Sequence, residues 1–269
     1  MHFAVCVKQV PDTTEVRIDP ETNTLVREGV PSILNPYDAH AAEAAVALKE
    51  RYGGTVTVIC MGPPQAIEVL RQCVSFGADR GILLSDRAFA GSDTWATSYT
   101  IGLALKRLCD EEGLDMVLCG KQAIDGDTAQ VGPGLARRLD IPQITYAVGV
   151  EQIDVTEGRA RVLRRLEKGI EVVDTPIPCL LTCVDEMNEI RYATLPNMIR
   201  AARYQADTWG KDDIAGDAEL MGLKGSPTAV NRLFPPPARE PGQIIPGGVD
   251  DPARAAEQLV DRLVAHVTG

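Results

Sequence analysis

Residues 55–84 read TVTVICMGPPQAIEVLRQCVSFGADRGILL, and they contain one complete strand–helix–strand unit. The β-branched run Thr55–Cys60 predicts a buried strand, which a glycine–proline turn connects to a helix from Gln65 to Phe76. A glycine ends this helix, and Ile82–Leu84 predicts a second short strand. Strand, helix and strand in this order form the unit from which parallel sheets are built.

The same alternation continues on both sides of this unit. Upstream, Phe3–Val7 predicts a strand, and Asp38 is a candidate N-cap for a helix from Ala39 to Arg51. Downstream, the pattern predicts a helix to about Glu112 capped by Ser92 or Asp93, a strand Met116–Cys119, a helix through Arg138 capped by Thr128, and a strand Ile144–Val150. The chain is therefore expected to form an α/β fold, with a Rossmann-like parallel sheet that carries helices on both faces.

The alternation of strands and helices stops near residue 150. Two segments at 150–155 and 161–166 predict a β-hairpin around Glu157-Gly158, so we expect a hairpin extension at about residues 150–166. A buried strand is predicted at 177–184, because this run is almost entirely apolar.

The remaining sequence is irregular and proline-rich as far as about residue 250, and only residues 251–267 predict a further helix. Such a segment does not resemble a domain core. We therefore expect an α/β domain over residues 1–186. Residues 187–269 are expected to form an extended C-terminal arm that ends in a helix and lies on another protein surface.

Charge and composition exclude several classes of function. The 269 residues include 27 Lys+Arg and 38 Asp+Glu, giving a net charge of −11, and only 4% are aromatic. Nucleic-acid binding requires clustered basic residues and stacking rings, so no nucleic-acid partner is expected. We also expect no membrane insertion, since no run approaches roughly 18 apolar residues. Seven scattered cysteines without a CxxC pair indicate reduced, buried thiols, hence a cytoplasmic protein without a metal site.

Ligands of open parallel sheets bind beyond the carboxyl ends of the strands. The predicted loops that share this edge are residues 7–12, 61–64, 85–98 and 120–128. Glycines precede a helix start in two of them, and backbone N–H groups at a helix start bind phosphate oxygens, although the same glycines also suit ordinary turns. Neither a P-loop, nor the usual dinucleotide fingerprint, nor a nucleophile elbow is present, so the pattern predicts a nucleotide site without nucleophilic catalysis.

Two acidic residues, Asp125 and Asp127, lie inside the loop that would hold the phosphates. Carboxylates beside a pyrophosphate would repel it, so we expect both to point away, towards ribose hydroxyls or neighbouring backbone. Arg87 is a candidate for the compensating positive charge.

Several sequence blocks resemble the beta subunit of electron-transfer flavoproteins, and the resemblance covers essentially the whole chain. The blocks are CVKQVPD at 6–12, NPYD at 35–38, GKQAID at 120–125 and RYATLPN at 191–197. Residues 162–182 resemble the family's signature stretch, except that Lys168 interrupts its usual acidic-or-glycine run. The resemblance implies a nucleotide- or flavin-binding domain, an alpha subunit that carries a mobile FAD domain, and electron transfer without covalent catalysis.

The family contains two types of beta subunit. One holds AMP in a structural role and relays single electrons, and the other holds a second FAD that exchanges hydride with NADH and splits the electrons. Residues 85–98 and 125–133 resemble the second, electron-bifurcating type, because Gly126 stands where the AMP type usually has a third acid. We therefore expect FAD with NAD(H) as substrate, and AMP is the alternative.

The resemblance also implies a role for individual residues. The residues implied at the adenosine are Cys6, Asn35, Tyr37, Asp38 and Met61. Those implied at the phosphates and ribose are Ala123, Ile124, Asp125, Gly126, Asp127, Thr128, Ala129, Gln130, Val131, Gly132, Pro133 and Gly134. Those implied at the isoalloxazine ring are Asp86, Arg87, Phe89, Asp93 and Thr94. Those implied at NADH are Lys8, Gln9, Val10, Gly62 and Pro63.

A last block is similar to the loop by which the family docks on partner dehydrogenases. The residues implied in docking are Tyr192, Leu195, Pro196, Met198 and Ile199. Leu195 is expected to be an exposed apolar anchor, and a core leucine in a strand is the alternative. The implied partners are an alpha subunit under the C-terminal helix, an acyl-CoA dehydrogenase or similar flavin dehydrogenase, and a ferredoxin or a quinone-linked oxidoreductase.

Overall fold

A computed structural model of the protein describes residues 1–12, 31–231, 242, 244–245 and 248–268. The chain divides into two compact units, residues 1–233 and 234–269. The proline-rich stretch expected in the arm lies largely outside the described residues.

Strands and helices alternate through most of the first unit. The strands of the described residues are β1 (His2–Val7), β2 (Gln9–Pro11), β3 (Ser32–Leu34), β4 (Thr55–Met61), β5 (Arg80–Leu84), β6 (Met116–Gly120), β7 (Gln143–Asp154), β8 (Arg159–Leu166), β9 (Gly169–Pro176), β10 (Cys179–Cys183) and β11 (Asp207–Trp209). The α-helices are α1 (Pro36–Tyr52), α2 (Ile67–Phe76), α3 (Thr94–Glu112), α4 (Val131–Leu139), α5 (Leu195–Ala202) and, in the second unit, α6 (Pro252–Thr268).

Nine of these strands form one sheet in the order β11-β5-β4-β1-β6-β10-β7-β8-β9. Neighbouring strands from β11 to β7 pair in parallel, and β7, β8 and β9 pair antiparallel. β2 and β3 form a separate antiparallel pair. The expected fold class is confirmed, including the strand extension near residue 150 and the C-terminal helix.

The central strand β1 is buried on both faces of the sheet, as a parallel sheet covered by helices requires. Phe3 and Val5 pack with α1 and α2 on one face. Ala4 and Cys6 pack with α3 and α4 on the other. The alternation of side chains along this one strand therefore supplies both hydrophobic cores of the first unit.

Two regions contain more regular structure than the sequence predicts. The hairpin turn forms at Gly158, which has a φ of 63°, but β8 then continues into the unpredicted third strand β9. The segment expected to be irregular after residue 187 contains α5 and β11. The Thr194 side chain caps α5 by accepting the Asn197 N–H at 3.4 Å.

Two helices begin at other residues than predicted. α1 begins at Pro36 with Asn35 as its N-cap, so Asp38 lies inside the first turn. α4 begins at Val131 with Gln130 as its N-cap, so Thr128 remains in the loop before the helix. The predicted cap of α3 is confirmed, because Asp93 accepts the N–H groups of the first turn.

No helix among the residues with described coordinates combines the length and the apolar character needed to cross a membrane.

Candidate functional site

The switch in strand order lies between β1 and β6, at the centre of the sheet. From β1 the chain builds β4 and β5 on one side of the sheet, and it then returns through α3 to place β6 on the other side. Loops that leave a parallel sheet at such a point diverge and leave a crevice at the carboxyl ends of the strands. The four loops predicted to share this edge follow β1, β4, β5 and β6, so the fold brings all of them to the same edge.

Two buried residues at the start of α1 connect the loops of this crevice. The Asn35 side chain donates to a carbonyl of the 121–130 loop at 2.9 Å and accepts an N–H of the same loop at 3.1 Å. The Asp38 carboxylate accepts the N–H of Lys8 at 2.8 Å and that of Gly120 at 2.9 Å. Both side chains, which were expected to contact adenosine, therefore position the loops.

The buried Asp38 carboxyl makes the stability of the fold depend on pH. Burial raises its pKa from 3.8 to about 7, although the N–H groups of Lys8 and Gly120 favour the carboxylate. Between these pH values the folded chain holds a proton that the unfolded chain has lost. The stability contributed by Asp38 is therefore full below about pH 4 and is lost as the pH rises through about 7.

We predict that Asp38→Asn removes this pH dependence. Between about pH 5 and about pH 8, the free energy of unfolding of the wild type should fall by on the order of 2 kcal/mol more than that of the variant. Denaturant titrations at both pH values measure the difference. Asp110→Asn, which changes an exposed aspartate of α3, should retain the wild-type slope. Equal slopes in Asp38→Asn and the wild type would contradict the prediction.

The loop after β6 presents an open surface between two restrained carboxylates. Lys8 Nζ lies 2.7 Å from both oxygens of Asp125, and the Gln122 side chain donates to Asp127. Gly126 stands between them, and a Cβ built there would meet no atom within 4 Å. Both acids are therefore held by side chains, and not by the neighbouring backbone that was expected as one of their partners. The cation at Asp125 is Lys8, however, and not Arg87, and the Lys8 side chain stays 47% exposed beside this ion pair.

Most residues expected at the phosphates lie along this loop and the first turn of α4. Asp125 to Thr128 and Gln130 are exposed, whereas Ala123, Ile124, Ala129, Val131, Pro133 and Gly134 are half-buried. Asp127 and Ala129 have positive φ values of 55° and 54°, which direct the backbone through a tight turn before the helix.

The glycines of α4 serve helix packing. Gly132 is buried, and a Cβ there would lie 2.6 Å from Thr182 Cγ2. A Cβ on Gly134 would lie 3.0 Å from the Ser98 side chain of α3. The two glycines therefore bring the start of α4 close to the sheet and to α3. The Thr94 hydroxyl donates to Gln130 Oε1 at 3.0 Å and joins the starts of the two helices.

The segment at 85–94 uses its two acids as caps. Asp86 Oδ1 accepts the Ala88 N–H at 2.9 Å, and Asp93 Oδ1 accepts the N–H groups of Trp95 and Ala96 at 2.9 and 3.0 Å. Hydrogen bonds hold the pKa of Asp86 below its ordinary value. For Asp93, hydrogen bonds outweigh the opposing effect of partial burial and likewise lower the pKa. Both carboxylates are thus ionised acceptors for the backbone.

The other residues expected at the flavin ring differ in exposure. Phe89 is buried in the core below α3 and α4, so its ring belongs to the core. Arg87 is exposed, and its guanidinium makes no hydrogen bond or ion pair within the part of the chain that the structure describes. Among the residues expected at the ring, Arg87 therefore has an exposed side chain without a polar partner in the described residues, whereas the Thr94 hydroxyl already donates to Gln130.

The other residues expected at NADH lie on two neighbouring segments, β2 and the turn after β4. Gln9 Nε2 lies 3.4 Å from the Gln65 carbonyl, which connects the β2–β3 pair to the turn after β4. Gly62 donates its N–H to the Leu84 carbonyl at 3.0 Å, and Pro63 is exposed beside it. Val10 is fully buried and pairs with Ile33 of β3, so no part of it is exposed to a ligand in this structure.

Three further residues were expected at the adenosine. Cys6 is buried, and Met61 packs against the same core as Cys6. Burial raises the pKa of the Cys6 thiol well above its ordinary value, so this thiol stays protonated. The Tyr37 ring lies beside Lys121, whose Nζ is 5.3 Å from the ring centroid.

Two aromatic contacts at this edge were not predicted from the sequence. Lys121 lies between Tyr37 and Tyr146, with Nζ 5.4 Å from the Tyr146 ring, and Tyr146 itself has a φ of 58°. At the start of α3, Trp95 is 58% exposed, and the Arg138 guanidinium covers its ring at 4.5 Å. These contacts join residues from distant segments, and no local pattern in the sequence signals them.

The predicted docking residues form an exposed apolar face. Tyr192 is 99% exposed, and Leu195, the first residue of α5, is 69% exposed. Met198 and Ile199 extend this face along the helix, and Pro196 is also exposed. Leu195 is therefore not a core residue, but it stands on a helix and not on an irregular loop.

This face is fixed to α1 through Arg191. Its guanidinium donates to Glu43 at 2.7 and 2.9 Å and to Glu50 at 2.6 and 3.0 Å. Asn188 adds a hydrogen bond from its side chain to the His40 carbonyl at 2.9 Å. The docking segment and the crevice thus share α1, the crevice at residues 35 and 38 and the docking segment at residues 40, 43 and 50.

The groups available at the crevice fit an extended, anionic nucleotide. No side chain caps the first N–H groups of α4, which are suited to phosphate oxygens. The Gly126 backbone is open to approach, and Arg87 offers a cation further along the same edge. The strand order and the helices on both faces define an α/β protein of the doubly wound class, with a crevice at the carboxyl edge of its sheet.

Comparisons with known proteins identify the family. The electron transfer flavoprotein domain matches residues 22–213. Protein FixA of Azotobacter vinelandii is 46% identical over 265 residues, covering 98% of this chain and 94% of the relative. The CarD subunit of the caffeyl-CoA reductase–Etf complex of Acetobacterium woodii is 51% identical over 248 residues, covering 92% of each chain. The electron transfer flavoprotein subunit beta of Clostridium acetobutylicum is 47% identical over 264 residues, covering 98% of each chain.

The chain belongs to the electron transfer flavoprotein family, and it resembles the family's beta subunits, FixA proteins included, over almost its whole length. The expected family is thereby confirmed. Membership also implies an alpha-subunit partner and electron exchange with dehydrogenases.

Proposed function

We propose that this beta subunit binds FAD in the crevice and exchanges hydride with NADH there. The observation that carries the proposal is the exposed backbone at Gly126 in the 121–130 loop, which we call the loop crest. No side chain blocks the path of a ligand over this crest, and the neighbouring acids Asp125 and Asp127 are held by Lys8 and Gln122. An extended dinucleotide requires such a path along the sheet edge. AMP, which ends at its single phosphate, does not require it.

Different residues of the chain would contact different parts of the bound FAD. The N–H groups at the start of α4 would bind the phosphates, and Asn35 would hold the 121–130 loop in place for them. The Arg87 guanidinium would face the flavin ring, where a nearby cation tunes the reduction potential. Bound FAD would supply the hydride and single-electron chemistry that amino-acid side chains lack.

The electrons would leave this chain for two acceptors. We propose that, of the two electrons in each hydride, one passes through the alpha-subunit FAD towards a flavin dehydrogenase and one reaches a low-potential acceptor such as a ferredoxin. The Acetobacterium woodii relative belongs to a complex with caffeyl-CoA reductase, which supports a dehydrogenase of CoA esters as the partner here.

The nucleotide content of the co-expressed alpha–beta heterodimer tests this proposal. Acid extraction should release two FAD per heterodimer and no AMP, and anaerobic addition of NADH should bleach the flavin absorbance. One FAD with one AMP and no response to NADH would overturn the proposal. The beta subunit would then be a non-redox scaffold that serves electron relay between acyl-CoA dehydrogenases and a quinone-linked oxidoreductase.

A second prediction concerns the exposed face at α5. If Leu195 anchors the partner dehydrogenase, Leu195→Ala should slow electron transfer from the NADH-reduced heterodimer to subsaturating dehydrogenase by roughly fivefold to tenfold, because one buried anchor is lost from the interface. Flavin content should stay unchanged, since Leu195 lies outside the core.

Leu166→Ala is the matched control, because it removes a leucine that is 47% exposed on β8. Electron transfer between the Leu166→Ala heterodimer and the dehydrogenase should proceed at the wild-type rate. Equal rates for Leu195→Ala and the wild type would remove α5 from the docking surface.

A further inference from the structure

A second segment of the chain holds the residues that would face the flavin. Residues 209–228, which we call the strap, begin at the last residue of β11 and pass along the 85–94 segment. We propose that the strap is a positioning element that sets the conformation of the 85–94 segment and thereby the place of the Arg87 guanidinium. This inference rests on the proposed function and adds Ser226 and Thr228 as residues that control flavin binding from outside the crevice.

The strap first meets the segment where the segment begins. Ser85 donates its N–H to the Trp209 carbonyl at 3.1 Å, which continues the parallel pairing of β5 and β11. The Lys211 N–H then donates to Asp86 Oδ2 at 3.0 Å. The second oxygen of the Asp86 carboxylate is therefore used by the strap, while the first caps the turn at Ala88.

The middle of the strap lies against the backbone of the turn. Gly222 has a φ of 57°, and a Cβ there would lie 2.3 Å from the Ala88 carbonyl oxygen. Leu223 donates its N–H to the Ala90 carbonyl at 3.0 Å. Met221 is buried in the core that contains Phe89. This approach requires glycine at 222, so the strap and the turn fit together at backbone level.

The end of the strap secures the end of the segment. Ser226 Oγ accepts the Asp93 N–H at 2.8 Å. Thr228 donates to Asp93 Oδ2 twice, from its N–H at 3.0 Å and from its hydroxyl at 2.8 Å. Asp93 thus caps α3 with one oxygen and receives the strap with the other.

These contacts decide where Arg87 stands. Its side chain makes no polar contact with the described residues, so the turn that carries it sets its position. Within the segment, two side-chain hydrogen bonds join Asp86 to the Ala88 N–H and the Ser92 hydroxyl to the Phe89 carbonyl. Three backbone hydrogen bonds complete the turn, from the N–H groups of residues 89, 90 and 92 to the carbonyls of residues 86, 87 and 89. The strap supplies further contacts at both ends and in the middle of the 85–94 segment. A substitution in the strap should therefore alter flavin binding by displacing the Arg87 guanidinium.

The test uses the co-expressed heterodimer with Thr228→Val and Ser226→Ala. Each variant removes one side-chain hydroxyl, and Thr228→Ser retains the hydroxyl of that position. Ser75→Ala on α2 and Thr156→Val in the β7–β8 turn are matched controls on other parts of the first unit. Amide hydrogen exchange reports on the segment, and FAD titration of partly deflavinated heterodimer reports on binding.

We expect faster exchange at residues 88–93 in Thr228→Val and Ser226→Ala. FAD binding in this chain should weaken roughly fivefold to tenfold, because a hydrogen bond to an ionised or backbone group is lost. Thr228→Ser and both controls should match the wild type. In a double-mutant cycle with Arg87→Ala, the combined loss of affinity should be smaller than the product of the single losses, since both changes act on one contact.

The outcomes separate this inference from the proposed function. A wild-type heterodimer without FAD in this chain would overturn both. FAD in the wild type, with unchanged exchange and affinity in Thr228→Val and Ser226→Ala, would overturn the inference alone. Faster exchange with unchanged FAD affinity, or independent effects in the cycle, would also overturn it, because the strap would then stabilise the fold without positioning Arg87.

Discussion

Gly120→Ala should destabilise the folded chain by about 3 kcal/mol or more, the largest loss of stability that we predict. A Cβ at this position would lie 2.4 Å from Asp38 Oδ1, 2.6 Å from Tyr37 Cβ and 2.7 Å from the Tyr37 carbonyl carbon. The neighbours include helix backbone, which cannot yield by a simple rotamer change. The methyl group would push α1 away from β6 and break the hydrogen bond between Asp38 and the Gly120 N–H.

Urea or guanidinium titration of the purified protein measures this effect. The matched control is Gly126→Ala, since the same methyl group there enters open space in the following loop. This control should change the free energy of unfolding by less than about 0.5 kcal/mol. A Gly120→Ala variant as stable as the wild type would show that α1 does not approach β6 as closely as the structure has it.

The architecture could be predicted because its signals are local. The Thr55–Cys60 run, the following glycine–proline turn and the glycine after α2 each predict their own element without reference to the rest of the chain. Asp93 as the cap of α3 is also a local signal. The carboxyl-edge rule then places the loops after β1, β4, β5 and β6 together, so the location of the crevice follows from strand order alone.

Strand β9 could not be predicted in this way. Most of its side chains are exposed, and it carries no continuous apolar run and no clean alternation. Its position depends on pairing with β8, where Arg161 meets Asp174 at 3.0 and 3.2 Å. Cross-strand pairs of this kind are visible only after the strands have been aligned.

The roles of the acids in the crevice could not be predicted either, because their hydrogen-bond partners lie far away in the sequence. Asp38 and Gly120 are 82 residues apart, and Asp93 and Thr228 are 135 residues apart. An aspartate near a helix start looks the same in sequence whether it caps that helix or accepts a distant N–H. The resemblance points to the loops at this edge, but only the packing of α1 and the strap determines which carboxylates remain free for a ligand.

Gly126→Asp should reduce FAD binding to this chain by about tenfold to hundredfold. The new carboxylate would enter the open loop crest between Asp125 and Asp127, where Lys8 and Gln122 already serve the two native acids. Lys121, the cation within the 121–130 loop, lies between the Tyr37 and Tyr146 rings, so the new carboxylate would stay charged and would repel a pyrophosphate. At an effective dielectric constant near 20, two charges about 4 Å apart interact by about 4 kcal/mol, which is ample for this loss.

The fold should tolerate Gly126→Asp, because the position is exposed and does not require a positive φ. Denaturant titration should therefore give a free energy of unfolding close to that of the wild type, unlike Gly120→Ala. Nucleotide extraction of the co-expressed heterodimer should show FAD in the alpha subunit alone, with NADH no longer bleaching flavin. Gly126→Ala, which adds bulk without charge, should retain FAD in this chain. If Gly126→Asp also retains it and still reacts with NADH, the ligand does not pass over this crest, and the site must be sought elsewhere along the sheet edge.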